Sequence, residues 1–293
     1  MSELNILFAT NFSDSCFRAI RAVAQLADAI NVRLTVAHAN HGGLPRHRDL
    51  HSFFAEADHF GRCRRVTLDG SPVEGIVALS RQERFDLIIS PGSDRLGLPR
   101  PFHRSIRAGL LQAGTAPVWT TSRGLEEGDF RRPIRTVAVA MDGWDSNLQH
   151  LHLASAFAER VGARLHLLTV VPDIHEGTLV SQAVAPQPLH PDRAIARLEK
   201  LLAGWHRVPV IDAAVGSASR HIPRMAAKCD ADLLFLSQAQ STSGVFIPGI
   251  SRTVNHAPCA VVSVPAALPA SFRWSFQTPV AAPAAALLDT VYA

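Results

Sequence analysis

The sequence has few cysteines, little charge and no long apolar run, and each shortage excludes a class of protein. Its four cysteines are widely spaced without a CxxC pair, which argues against a disulfide framework and predicts reduced thiols. With 18% charged and 47% hydrophobic residues, the chain has the composition of a globular protein. No run approaches the roughly 18 apolar residues that a membrane span needs, and residues 1–5 lack a signal-peptide pattern. A cytoplasmic protein without a membrane partner is therefore expected.

The positive charge is also too low and too dispersed for a nucleic-acid-binding protein. The net charge is +4, and the arginines are scattered apart from short clusters at residues 62–65 and 131–132. Binding of DNA or RNA needs a denser basic face. No nucleic-acid partner is expected.

An internal repeat divides the 293 residues into two halves. The apolar run at residues 6–11 recurs at 137–142, and the next apolar run, at 33–37, recurs at 164–168, both 131 positions later. Between the two runs of each half lies a stretch with helical periodicity, residues 17–29 and 148–161. Each half therefore opens with strand, helix and strand.

Two more strands close each half. Residues 85–90 correspond to 231–236 at an offset of 146, and residues 117–121 correspond to 260–264 at an offset of 143. The extra length of the second half lies at 172–191, a proline-containing loop before a helix predicted at 194–205. Predicted strands cover residues 4–10, 33–38, 63–68, 86–90, 117–121, 135–141, 164–171, 208–214, 232–237 and 260–265.

These elements predict two domains of the α/β class. Short apolar strands that alternate with helices indicate a parallel sheet covered on both faces. We expect a first domain at 1–125, a linker at 122–133 and a second domain at 134–266. Residues 267–293 form an apolar tail that is expected to pack against its own chain, with a dimer contact as the alternative.

The ends of the first strands carry a resemblance to a known family. Thr-Asn-Phe-Ser-Asp at 10–14 and Met-Asp-Gly-Trp-Asp at 141–145, with the later Asp-Leu-Ile-Ile and Asp-Leu-Leu-Phe strands and a closing Ala-Pro-Val, resemble the universal stress protein family. The resemblance implies two tandem Rossmann-like domains of the adenine nucleotide alpha hydrolase type. Each would be an open five-stranded parallel sheet with helices on both faces, and the two would pair within the chain.

ATP-binding members of that family have a loop of the form G-x2-G-x9-G-[S/T] after the fourth strand. Glycines let the backbone approach phosphates, and amide groups with the next helix N-terminus bind them. In the first half the three glycine positions of this motif are occupied by Pro91, Asp94 and Arg104. Only its final Ser/Thr position keeps the family's residue type, as Ser105. Asn11 stands where the family has an acidic residue near the adenine and ribose. The first half is therefore expected to bind ATP weakly or not at all.

The second half keeps the acidic residue as Asp142, but its loop matches the family's glycine motif less well than the loop of the first half. The glycine positions fall on Ser237, Gln240 and Ile250, and the hydroxyl position on Ser251. About three residues, nearly one helical turn, are missing from loop start to closing strand. The candidate ligand-binding residues are Asp142, Gly143, Ser237, Gly249 and Ser251 in the second half and Ser105 in the first.

Catalytic motifs are missing from the sequence. It has no G-x-S-x-G elbow and no Walker Gly-Lys-Ser/Thr loop. His38-Ala-Asn-His41 follows the second strand, whereas the paired histidines of HIGH-type nucleotidyltransferases follow the first, and no histidine spacing predicts a metal site.

We therefore expect a stress-associated binding protein with degenerate ATP-binding motifs. Its cofactor would be a weakly held adenine nucleotide such as ATP, or none. The alternative is a slow ATPase that uses the second domain. An unknown protein partner and a homodimer stay open.

Overall fold

The structure is a computed structural model. It describes residues 3–40, 50–55, 62–91, 106–120, 133–141, 148–171, 190–237 and 248–276, apart from the side chains of residues 25 and 248–251. The predicted linker, the long loop at 172–189 and the tail beyond residue 276 lie outside these ranges.

The first half alternates strands and helices as the repeat predicts. Its elements are β1 (Leu4–Thr10), α1 (Asp14–Ala29), β2 (Val32–Asn40), β3 (Cys63–Asp69), α2 (Pro72–Gln82), β4 (Leu87–Ile89), α3 (Ile106–Ala113) and β5 (Val118–Thr120). The core residues of β1 and β4 are buried because both faces of the sheet are covered, which explains their unbroken apolar sequence.

The second half repeats this order. Its elements are β6 (Thr136–Met141), α4 (Gln149–Val161), β7 (Arg164–Val171), α5 (Pro191–Leu201), β8 (Val210–Val215), α6 (Ala218–Lys228), β9 (Leu233–Ser237), α7 (Pro248–His256) and β10 (Ala260–Val264). The sequence placed α5 at 194–205, but the helix begins at Pro191, where the fixed φ of proline suits the first turn, and ends before Gly204.

The ten strands of the described residues form one sheet. Its order is β3-β2-β1-β4-β5-β10-β9-β6-β7-β8, and every neighbouring pair is parallel except β5 with β10. Read outward from that pair, the two halves have the same strand order, as the repeat predicted. Trp119 lies directly opposite Val262 in the antiparallel pair, and these two occupy equivalent positions of the repeat. An approximate twofold axis therefore passes between them.

The two faces of the sheet are covered differently. On one face, α1, α4 and α5 lie over a single apolar core that runs through both halves. On the other face, α2 with α3 and α6 with α7 cover separate clusters. The halves are thus joined both by strand pairing and by a shared core.

Two equivalent aspartates fix the starts of the first strands. Asp232 Oδ2 accepts hydrogen bonds from the backbone N–H groups of Arg135 and Thr136, at 2.8 and 2.9 Å. Asp86 Oδ2 accepts one from Asn5 N–H at 2.8 Å. The Asp-Leu motif that contributed to the family resemblance therefore has a structural role, at the amino ends of the strands.

The segment after β10, residues 265–276, crosses from the second half to the first, and we call it the strap. Trp274 is buried, and its Nε1–H donates to the carbonyl of Leu153 on α4 at 2.7 Å. Ser275 donates from its backbone N–H and its hydroxyl to Asp86 Oδ1, at 2.9 and 2.8 Å. As far as residue 276, the apolar tail thus packs against its own chain.

Candidate functional site

The strand order places one candidate ligand edge in each half. In an open parallel sheet, ligands bind at the carboxyl ends of the strands where the order reverses. That point lies between β1 and β4 in the first half and between β6 and β9 in the second. The family positions considered in the sequence follow these same strands.

In the first half, Asn11 serves the turn between β1 and α1. Its Oδ1 accepts a hydrogen bond from Ser13 N–H at 3.0 Å, and the Cys16 thiol donates to the same oxygen at 3.1 Å. Thr10 Oγ1 accepts from Phe12 N–H at 3.0 Å. A side chain that closes a turn in this way is a structural element of the loop leading into α1.

Aromatic side chains close the same edge. Phe12 has a left-handed backbone with φ of 61°, rare for a bulky residue, and its ring lies 4.5 Å from that of His38 at the end of β2. Phe53, only 3% exposed, meets Phe12 edge-on with ring centroids 5.5 Å apart and also contacts Phe17 at 4.9 Å. The ends of β1 and β2 on the α1 side are therefore covered by the chain's own rings.

A hydrogen bond orients His38 within this cover. Its Nδ1 lies 2.9 Å from the carbonyl oxygen of Thr10. Because a carbonyl oxygen can only accept, Nδ1 carries the proton and donates. The ring of His38 is thus held over the end of β1, where it supports Phe12.

The second half has small residues at the positions equivalent to this ring pair. At the offset of 131, Phe12 corresponds to Gly143 and His38 corresponds to Thr169. Thr169 lies opposite Met141 in the β6–β7 register and is completely buried, and its Oγ1 has no hydrogen-bond partner in the described part of the chain. Gly143 itself lies outside the described residues.

Three of the six predicted site residues fall within the described residues. Ser237 is the last residue of β9 and is half-buried. Gly249 and Ser251 lie in the first turn of α7, where backbone N–H groups have no intrahelical partner. Asp142, Gly143 and Ser105 lie outside the described residues.

The broken motif of the first half is described in part. Pro91 directly follows β4 and is half-buried, at the position of the family's first loop glycine. Proline has no N–H to offer a phosphate. Asp94 and Arg104 lie outside the described residues.

Phe53 was missed by the sequence reasoning. It belongs to a stretch with no regular periodicity, so nothing local marked it as part of the core. The contrast between Phe12 and His38 in the first half and Gly143 and Thr169 in the second could have been predicted from the sequence, because the offset of the repeat also aligns these pairs.

Other kinds of site find no support in the described ranges. Over those residues, no three His, Cys, Asp or Glu side chains are grouped as a metal ion would require. Nor does the described chain contain a helix long and apolar enough to cross a membrane.

Comparisons with known proteins agree with the two-half architecture. The sequence model of the Universal stress protein family matches residues 133–265. A universal stress protein from Archaeoglobus fulgidus DSM 4304 superimposes with a TM-score of 0.68 at 14% identity, covering 89% of this chain and 98% of its own. A putative universal stress protein from Pseudomonas aeruginosa UCBPP-PA14 gives 0.59 at 16% identity, with 90% and 93% covered.

A protein that is not named a universal stress protein has a similar fold. The cytoplasmic domain of a prokaryotic cation chloride cotransporter superimposes with a TM-score of 0.54 at 12% identity, covering 93% of this chain and 98% of its own. A search among curated protein sequences found no match. Identities this low establish the fold, whereas function must be argued from the site.

Proposed function

We propose that this chain, which belongs to the universal stress protein family through its second half, acts in stress responses by binding and not by catalysis. The second half is the ligand-binding unit. The first half serves as its structural partner.

One observation supports the assignment of ligand binding to the second half. In the first half, Phe12 packs on His38 and Phe53 at the carboxyl ends of β1 and β2, so the chain's own rings cover the part of this edge that adjoins the point between β1 and β4. Gly143 and Thr169 stand at the equivalent places of the second half and take up far less volume. These two positions therefore carry smaller side chains in the second half than in the first, and on this difference we place the ligand in the second half.

An adenine nucleotide is the ligand class that the family suggests for the second edge. Asp142 would face the adenine and ribose, while the first turn of α7, with Gly249 and Ser251, would face the phosphates through its free N–H groups. Ser237 at the end of β9 would lie between them. Because the loop is short and lacks the family's glycines, we expect the affinity to be low.

Calorimetry of the full chain with ATP tests this proposal through two variants at equivalent positions. Asp142→Ala removes a hydrogen bond to a charged group, typically about 1.5 to 3 kcal/mol, and should weaken binding roughly tenfold to a hundredfold. Asn11→Ala, at the matching position of the first half, should leave the affinity unchanged. If Asn11→Ala weakened binding and Asp142→Ala did not, the assignment of the two halves would be wrong.

A third variant tests the space argument directly. Gly143→Phe recreates in the second half the side chain that stands at the equivalent place in the first, and it should abolish ATP binding while the circular dichroism spectrum stays unchanged. Undiminished ATP affinity in a folded Gly143→Phe variant would contradict the proposal. If wild type itself bound no ATP at millimolar concentration, the nucleotide part of the proposal would fail.

A further inference from the structure

The outer surface of α6 and α7 is basic. On α6, Arg220, Arg224 and Lys228 recur at every fourth residue and are exposed, and α7, which packs beside α6, adds the exposed Arg252. We call these four side chains the α6–α7 basic face. Neither helix contains an acidic residue.

The equivalent positions of the first half carry no basic residue. Helices α2 and α6 have matching bounds at the offset of 146, and α3 aligns with α7 at 143. The four basic residues correspond to Glu74, Ala78, Gln82 and Gly109. Since the fold of the two surfaces is the same, the charge is a property of the second half and not a requirement of the architecture.

No described acidic side chain pairs with the cations of the basic face. Among the described residues, no salt bridge involves Arg220, Arg224, Lys228 or Arg252, whereas Arg33, Arg62 and Arg64 of the first half pair with Glu3 or Glu83. Asp230, just beyond the end of α6, is exposed and takes part in no salt bridge with these residues. Over the described ranges these four charges thus keep their capacity to attract an anion from outside the chain.

The spacing of the charges suits an acidic peptide. A helix rises about 1.5 Å per residue, so side chains four residues apart are about 6 Å apart along α6. Alternate residues of an extended peptide are about 6.6 Å apart, so carboxylates at every second position can face Arg220, Arg224 and Lys228 in turn. Three of the four cations are arginines, whose planar guanidinium groups bind carboxylates bidentately.

Other polyanions fit this surface less well. The exposed side chains of α6 are Ala218, Arg220, Arg224, Ala227 and Lys228. With those described on α7 (Arg252, Asn255 and His256) they include no Phe, Tyr or Trp ring on which a base could stack and no large apolar group to enter a bilayer. We propose that the α6–α7 basic face docks an acidic, extended segment of a protein partner, an interaction beyond the ligand binding proposed above.

Fluorescence anisotropy with the full chain tests this docking. The probe is a labelled peptide of six Glu-Ala repeats, compared with a Gln-Ala peptide of equal length and a single-stranded DNA 12-mer. Arg224→Glu should weaken binding of the Glu-Ala peptide about tenfold, because it removes one attraction and adds one repulsion. Arg81→Glu is the matched control: it reverses one exposed charge on α2 and should change the affinity less than about twofold.

Three results would overturn the proposal: no binding of the Glu-Ala peptide at physiological salt, equal weakening by Arg224→Glu and Arg81→Glu, or tighter binding of the DNA than of the peptide. ATP calorimetry on the same variants separates this proposal from the nucleotide site. Arg224→Glu should leave ATP affinity unchanged. If the wild-type chain bound no Glu-Ala peptide while Asp142→Ala still weakened ATP binding, the docking alone would be refuted.

Discussion

Replacing Trp274 with alanine tests whether the strap is part of the folded core. The indole is 1% exposed and lies between Phe157 of α4 and the strap residues Phe272 and Phe276, with ring centroids 5.9 to 6.1 Å from its own. Its Nε1–H donates to the buried carbonyl of Leu153. The substitution therefore removes both a large apolar contact and a buried hydrogen bond.

The expected loss follows from these contacts. Truncation of a buried Trp or Phe to alanine typically costs about 3 to 5 kcal/mol of the free energy of unfolding. The lost hydrogen bond of Trp274 adds about 0.5 to 1.5 kcal/mol and stays near the low end, because the Leu153 carbonyl keeps its partner within the helix. We expect about 4 to 5 kcal/mol for Trp274→Ala, and about 1 to 2 kcal/mol for Trp274→Phe, which keeps an aromatic ring.

Urea unfolding followed by circular dichroism measures both changes. Trp205→Ala is the matched control, since Trp205 is only half-buried and stacks on His152 at 4.8 Å. It should cost less than about 2 kcal/mol. If Trp274→Ala cost no more than Trp205→Ala, the strap would not be packed as described, and the halves would be joined without it, by the β5–β10 pairing and the rest of the shared core.

Two further predictions concern the strap's contacts with the first half. Burial raises the pKa of Asp86 above its ordinary 3.8, and the hydrogen bonds from Asn5 and Ser275 offset only part of this. The folded protein therefore binds the proton of the Asp86 carboxyl group more tightly than the unfolded chain does. Protonation of Asp86 thus adds to the free energy of unfolding; this contribution is complete below pH 3.8 and is lost as pH rises through the raised pKa. Asp86→Asn should remove that decline, and a pH series of urea titrations showing the same slope would contradict the assignment. Separately, Gly114→Ala should cost about 1 to 3 kcal/mol in thermal unfolding, because its φ is +65° and a Cβ would lie 2.9 Å from that of Ala267. Gly162→Ala, with φ of +71° and nothing within 4 Å, should cost only about 1 kcal/mol, and equal losses would mean that the strap does not press on Gly114.

The repeat made most of the fold predictable, because apolar strands buried on both faces are visible in the sequence. The predicted bounds 4–10 and 164–171 match β1 and β7. The end of α5 was misplaced, because the turn after it keeps Leu202 buried and so prolongs the apolar pattern beyond the helix. Which edges of the two sheets would join could not be read from local pattern, since edge pairing depends on contacts between distant segments.

The candidate site was less accessible to sequence reasoning. The family positions identified Asn11 and Asp142 as the contrast between the halves, but they gave no indication that Phe12, His38 and Phe53 pack together at the first edge. Phe53 reaches the edge from a segment that the repeat does not align. A residue whose role depends on packing across a loop leaves no periodic signal.

The pairing of Trp119 with Val262 has a consequence for how such a molecule could evolve. In a symmetric homodimer, a residue on the twofold axis must face its own copy, so a tryptophan there would have to accommodate a second tryptophan. Joining the two copies in one chain removes that constraint, and here a large side chain lies opposite a small one. A later substitution then changes one half of the molecule, whereas in a homodimer it changes both subunits. Covalent duplication thus allows one copy to lose a function while the other retains it.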